Sequence, residues 1–97
     1  MIRSFRDVGT EDLFHGRPTK AARKTLPETL WRQVSKKLDA IDSAGILEDL
    51  QIPPGNRLEA LKGDRRGQHS VRINSQYRIC FRWTEAGPED VEVVDYH

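Results

Sequence analysis

Hydrophobic positions along this chain change their period once. Between residues 27 and 43, Leu30, Val34, Leu38 and Ile41 recur at helical spacing while Arg32, Lys36 and Asp39 face elsewhere, which predicts a long amphipathic helix. Pro27 suits its first position and Glu28 its first turn. Gly45 ends it, and IPPGN reads as a turn. From Gln68 onward the period is two: His69, Val71 and Ile73 alternate with Ser70 and Arg72, then Tyr77, Ile79, Phe81 and Trp83 alternate with Arg78, Cys80 and Arg82. That is a β-hairpin with one apolar face, turning at Asn74 and Ser75. EAGPE is expected to turn the chain into a last strand, Val91 to Tyr96. Local connections make these three strands an antiparallel meander, and the long helix is the natural cover for their apolar face.

Before that helix the pattern is weaker. Ile2 to Phe5 reads as a short strand, Glu11 to Phe14 as the core of a short helix, and GRPTKAARKT as a basic connector without periodicity. The expected fold class is α+β: a small, mainly antiparallel sheet covered on one face by N-terminal helices. Residues 1–97 are expected to form one domain, because so short a chain buries only roughly 60–70% of its unfolded surface and cannot divide its core.

Composition narrows the class. With 36% hydrophobic and 32% charged residues the chain reads as a soluble globular protein with a charged surface. No apolar stretch approaches the roughly 20 residues of a membrane helix, and MIRSFRDVG lacks the apolar core of a signal peptide, so a cytoplasmic protein without membrane contact is expected. Cys80 is the single cysteine, which excludes an internal disulfide and a paired-thiol metal site. Within YRICFRW it reads as an ordinary half-buried side chain.

Net charge is +1, but the charges are segregated. Residues 1–37 carry nine Lys/Arg against four acids, and residues 38–56 carry four acids and no base. Residues 57–82 hold seven cations against Glu59 and Asp64, and the last fifteen residues hold five acids and no Lys or Arg. Two basic surfaces follow from this division. Six of the seven cations in the third block are Arg, whose planar fork suits phosphate.

The chain finishes VEVVDYH. If the strand persists, an acid, a phenol and an imidazole are carried to a rigid sheet end. Together with NRLEALKGDRRGQHSVRINSQYRICFRW, and with MIRSF at the start, this resembles the HigB-like branch of the RelE/ParE toxin superfamily, also called plasmid maintenance killer proteins. The resemblance covers nearly the whole chain. It implies the toxin half of a toxin–antitoxin pair, a metal-independent and cofactor-free ribonuclease that cuts messenger RNA on the ribosome. It also implies a HigA-type helix-turn-helix antitoxin as partner, with operator DNA reached only through the antitoxin complex. ParE-like relatives share the fold but inhibit DNA gyrase by binding it, which is the alternative function. The Arg-rich sheet and the Asp-Tyr-His motif favour RNA chemistry.

Cutting RNA without a metal uses the substrate's 2′-hydroxyl as nucleophile. The protein must then supply a base, a proton donor for the leaving 5′-oxygen and cations for the charged transition state. His97 is the first proton-transfer candidate, because the ordinary pKa of an imidazole, ~6.5, is close to working pH. Asp95 would orient it. Tyr96 would stack on a base or donate a hydrogen bond, unless it only covers the sheet edge. Arg78 and Arg82 are candidates for clamping phosphate, unless they pair with Asp90 or Glu92. Lys62, Arg65, Arg66 and Arg72 are candidates for holding RNA or ribosome. Some members of the family have His where this chain has Glu59. A carboxylate of ordinary pKa, about 4.3, is a weaker base and would need burial or position to serve. Glu59 could equally pair with Arg57 or Lys62. For the antitoxin, the cluster Arg17, Lys20, Arg23 and Lys24 is the expected contact.

Overall fold

The computed structural model describes residues 1–96. Three helices lead the chain: α1 (Val8–His15), α2 (Lys20–Thr25) and α3 (Trp31–Ser43). Four strands follow, β1 (Glu59–Ala60), β2 (His69–Arg72), β3 (Tyr77–Thr84) and β4 (Gly87–Asp95), and they pair antiparallel in chain order. This is the expected α+β arrangement, with one strand more than the meander read from the sequence.

α3 forms where the periodicity requires it, its entry tightened into a 3₁₀ turn over Glu28–Leu30 with Pro27 as the cap. Val34, Leu38 and Ile41 are wholly buried and share one core with Val71, Ile79, Phe81, Val91 and Val93 of the sheet. Burying a side chain of this size stabilises by about 1.5–3 kcal/mol, so the stripe holds helix to sheet.

The basic connector is not a loop. Six of its residues form α2, too few to show a period, and Thr19 caps them by accepting the Ala22 N–H. Asp12, buried on α1, accepts from Thr19 Oγ1 at 2.6 Å and from Arg17 Nη1 at 3.4 Å, which joins the two helices. They cross closely at Gly9, where a Cβ would run into the Thr25 side chain and the Ala21 carbonyl.

Ile2 to Phe5 does not form a strand. Phe5 makes one parallel bridge to Val91, while the Asp90 N–H donates to Ser4 Oγ and the Val91 N–H to the Ser4 carbonyl. The Arg3 N–H meets the Pro88 carbonyl and the Arg6 N–H the Val91 carbonyl, three residues apart on each segment, whereas a regular parallel ladder bonds every second residue. The cause is a register shift at this point of β4, where Asp90 takes a φ of 52°. β4 also begins earlier than Val91. Only Glu85 and Ala86 lie between β3 and β4, and Pro88 is tolerated because β4 is an edge strand. β1 was not legible at all, since two residues carry no alternation.

Thr10 shows how the layers are tied. Its side chain is fully buried, and its Oγ1 accepts the Val93 N–H of β4 at 2.9 Å. Thr10→Val keeps the shape but strands that N–H, so urea denaturation should show a loss of about 1–3 kcal/mol with an unchanged m-value.

Candidate active site

Side chains alternate across a strand, so the residues that point away from the helices form a second face. Register brings Glu59 opposite Ser70, Ser70 opposite Cys80, and Arg72 opposite Arg78. On the other side of β3, Arg78 faces Val94 and Cys80 faces Glu92. The helices leave this face uncovered.

Arg78 sits at its centre and is only 8% exposed. Its Nε donates to Ser70 Oγ at 2.7 Å and its Nη2 to the Arg57 carbonyl at 2.7 Å. Glu59 Oε1 lies 3.8 Å from the same Nη2, and the Tyr96 ring covers the guanidinium at 5.5 Å. Arg57 reaches its place through a left-handed backbone, φ 45°, which costs a non-glycine residue roughly 1–2 kcal/mol. That turn directs its carbonyl at the buried cation.

The end of β4 is pinned by the β2–β3 turn. Asn74 Oδ1 accepts the N–H groups of Gln76 and Tyr77, both at 2.8 Å, which shapes the turn. The Gln76 carbonyl then accepts the Tyr96 N–H at 2.6 Å, and Gln76 Nε2 donates to Asp95 Oδ2 at 3.2 Å. The strand therefore does persist to Asp95, opposite Tyr77. His97 lies outside the described residues.

The remaining predicted residues divide into groups. Arg82, beyond the register shift, is exposed, and its guanidinium lies over Gly67, where a Cβ would come within 2.7 Å of Nη1. Gly67 holds a φ of 90°, so a side chain there would be strained as well as crowded. Lys62 and Arg66 are exposed and, with Leu61 and Gly63, line a recess of about 400 Å³. Arg65 points inward, its Nη1 donating to Glu92 Oε1 at 2.7 Å and to Gln68 Oε1 at 3.1 Å. Arg78 therefore pairs with Glu59 rather than with Asp90 or Glu92. The Glu59 side chain is 53% exposed, so position beside Arg78, not burial, is what sets it apart.

Arg17, Lys20, Arg23 and Lys24 lie elsewhere, on α2 and the turn before it. Arg17 meets Asp12 and Arg23 meets Glu28 at 3.0 Å. Among the described residues no three His, Cys, Asp or Glu side chains gather as metal ligands. Ser70 and Gln76 joined the site without having been singled out, and Glu92, expected as a possible partner of Arg78 or Arg82, pairs with Arg65 instead. Alternation with Val71 was the available signal for Ser70, whereas Gln76 gave none.

An antiparallel sheet backed on one face by helices is an architecture this chain shares with solved toxin structures. The chain superimposes on YoeB of Staphylococcus aureus in its heterotetrameric complex with YefM, with a TM-score of 0.61 and 18% identity, covering 100% of this chain and 98% of that one. A second match is the S. aureus YoeB dimer, with a TM-score of 0.59 and 21% identity over 99% of this chain and 94% of that one. Residues 3–97 match the family of RelE-like toxins of type II toxin–antitoxin systems, HigB, and the chain belongs to that family. Its relatives include Toxin HigB-1 of Vibrio cholerae, 34% identical over 85 residues, which are 88% of this chain and 86% of that protein. Another is Endoribonuclease HigB of Proteus vulgaris, 31% identical over 99 residues with both chains fully covered.

Cys80 lies beneath this face, fully buried, and burial pushes its thiol pKa up. The unfolded thiol ionises near pH ~8.5 while the folded one keeps its proton, so the contribution to stability falls as pH rises past that value. Urea titrations from pH 7 to 10 should show this decline in the parent protein, and Cys80→Ala should lack that component.

Proposed function

We propose that this toxin is a metal-independent endoribonuclease that cuts messenger RNA on the ribosome and is neutralised by a HigA-type antitoxin. The observation that carries the reading is the convergence of Glu59, Arg78 and Tyr96 on one open sheet face, with Asp95 preceding Tyr96 at the anchored strand end, opposite Tyr77. Glu59 accepts the proton of the 2′-hydroxyl, and the 2′-oxygen attacks the adjacent phosphorus. Arg78 and Arg82 stabilise the charge of the transition state. As the bond from phosphorus to the 5′-oxygen breaks, His97 protonates the leaving oxygen and Asp95 orients the imidazole. Tyr96 stacks on a base or steadies the phosphate. The products are a 2′,3′-cyclic phosphate and a 5′-hydroxyl.

Dependence on the ribosome agrees with the openness of the face. Glu59 and Tyr96 are exposed, and no element among the described residues encloses an RNA strand over them, so the ribosome supplies the alignment that in-line attack requires. On programmed ribosomes, His97→Gln and Glu59→Gln should each slow single-turnover cleavage by roughly 10²–10⁴-fold with toxin binding retained, and Asp95→Asn should cost less. Efficient cutting of protein-free RNA would count against the ribosomal requirement. Gyrase-linked DNA breaks without mRNA cleavage would replace the reading with the ParE-like one.

The antitoxin contact belongs to the helical side. Lys20 and Lys24 are exposed on α2, with Arg17 and Arg23 beside them, away from the Arg78 face. Operator DNA is reached only through the antitoxin. Reversing all four charges to Glu should slow association with the antitoxin and leave cleavage by the free toxin nearly unchanged, as stopped-flow binding and ribosome assays would show. Unchanged association would move the contact to another surface.

A further inference from the structure

Residues 61–68 link β1 to β2 and are largely closed upon themselves. The Leu61 N–H donates to the Gln68 carbonyl at 2.9 Å, Gln68 N–H to Arg65 at 3.0 Å, Arg66 N–H to Gly63 at 3.1 Å and Arg65 N–H to Lys62 at 3.3 Å. Buried Leu61 and Gln68 hold the base of this loop, while Lys62, Gly63, Asp64, Arg66 and Gly67 of its outer part are exposed. Its long-range hydrogen bond runs from Arg65 Nη1 to Glu92 Oε1, at 2.7 Å. Glu92 stands on β4, the far edge, opposite Cys80 of β3. The Arg65 side chain therefore crosses the sheet face above Cys80 to reach it.

Three features separate Arg65 from its neighbours. Nη1 is shared between two acceptors, Glu92 and Gln68. Its charge is met by a carboxylate that is itself only 15% exposed, and this bond raises the arginine's pKa further above its usual value. Glu92 also offsets the accumulation of Arg65, Arg78 and Arg82 on one face. Lys62 and Arg66, by contrast, project beside the recess.

We propose that Arg65 is a positioning residue rather than a phosphate ligand: its bond to Glu92 fastens the 61–68 loop to the sheet, so that Lys62 and Arg66 flank the RNA strand leaving the Glu59–Arg78 site. The proposal rests on the ribonuclease reading for its ligand, but not for the tether itself. It makes an opposite-sign prediction for Glu92. Removing a negative charge from a face that binds RNA strengthens binding if Arg65 is thereby released to contact phosphate, and weakens it if Arg65 serves only through Glu92.

The measurement is affinity for ribosomes programmed with a message carrying a 2′-deoxy substitution at the decoding-site codon, over a salt series. Glu92→Gln and Arg65→Ala should each weaken binding by about 3–10-fold, and the double variant no more than either alone. Neither should change the slope of log affinity against log salt. Lys62→Ala and Arg66→Ala should each reduce that slope by roughly 0.7, the loss of one single-strand phosphate contact. Arg65→Lys, which keeps one charged donor, should recover part of the binding. Tighter binding by Glu92→Gln, or a slope reduced by Arg65→Ala as much as by Lys62→Ala, overturns the proposal. Hydrogen exchange in the free protein reads the tether alone: amides of residues 63–67 should open faster, and equally, in Glu92→Gln and Arg65→Ala. Faster exchange in a protein whose parent form cuts no RNA would leave the tether standing and remove the ribonuclease reading. Unaltered exchange would overturn the tether.

Discussion

Everything on the open face follows from burying one guanidinium. A desolvated cation costs several kcal/mol unless its donors are met, and Arg78 is held within a sheet at 8% exposure. Each partner comes from a different part of the chain. Ser70 arrives through β2–β3 register, the Arg57 carbonyl through a left-handed turn, Glu59 through a two-residue strand, and Tyr96 through the anchored end of β4. Meeting the needs of Arg78 therefore assembles, as a by-product, a carboxylate and a phenol beside a fixed positive charge. The left-handed Arg57 shows that backbone strain is tolerated where it completes this shell.

The second constraint is the division of the sheet into two faces. α3 and its apolar stripe occupy one, and α1 and α2 are bound to the same side through Thr10 and the Asp12–Thr19 bond. Only the opposite face remains for chemistry. The α2 part of the first basic block and the second block thus end on different surfaces, one on the helical side and one around Arg78. This separation is what lets the proposed antitoxin contact and the proposed RNA contact be distinct. Within the second block the charges are again unequal. Arg65 and Arg78 are committed to carboxylates and protein oxygens, whereas Lys62, Arg66 and Arg82 are exposed.

Legibility in the sequence depended on element length. α3 and the β2–β3 hairpin were readable because thirteen and twelve residues carry several turns of one period and repeated alternation of the other. α2, with six residues, and β1, with two, fell below what any period can reveal. Ile2 to Phe5 had a strand's composition, yet its partner on β4 is irregular at Asp90, so it pairs through a single bridge. That outcome lies in the other strand, not in the segment itself.

The same distinction holds for the site. The sequence by itself determined which residue types are present, that Arg72 and Arg78 share a face with Ser70, and that the family is a RelE-like toxin, because alternation and motif are local properties. It did not determine which arginine is buried, that Glu59 meets Arg78, that Arg65 spans the sheet to Glu92, or that Gln76 anchors Asp95 and Tyr96. Those pairings join residues 19 to 27 positions apart. Only the packed sheet decides them, since a charged group takes the partner that register and desolvation leave within reach, and neither quantity exists before the strands are paired.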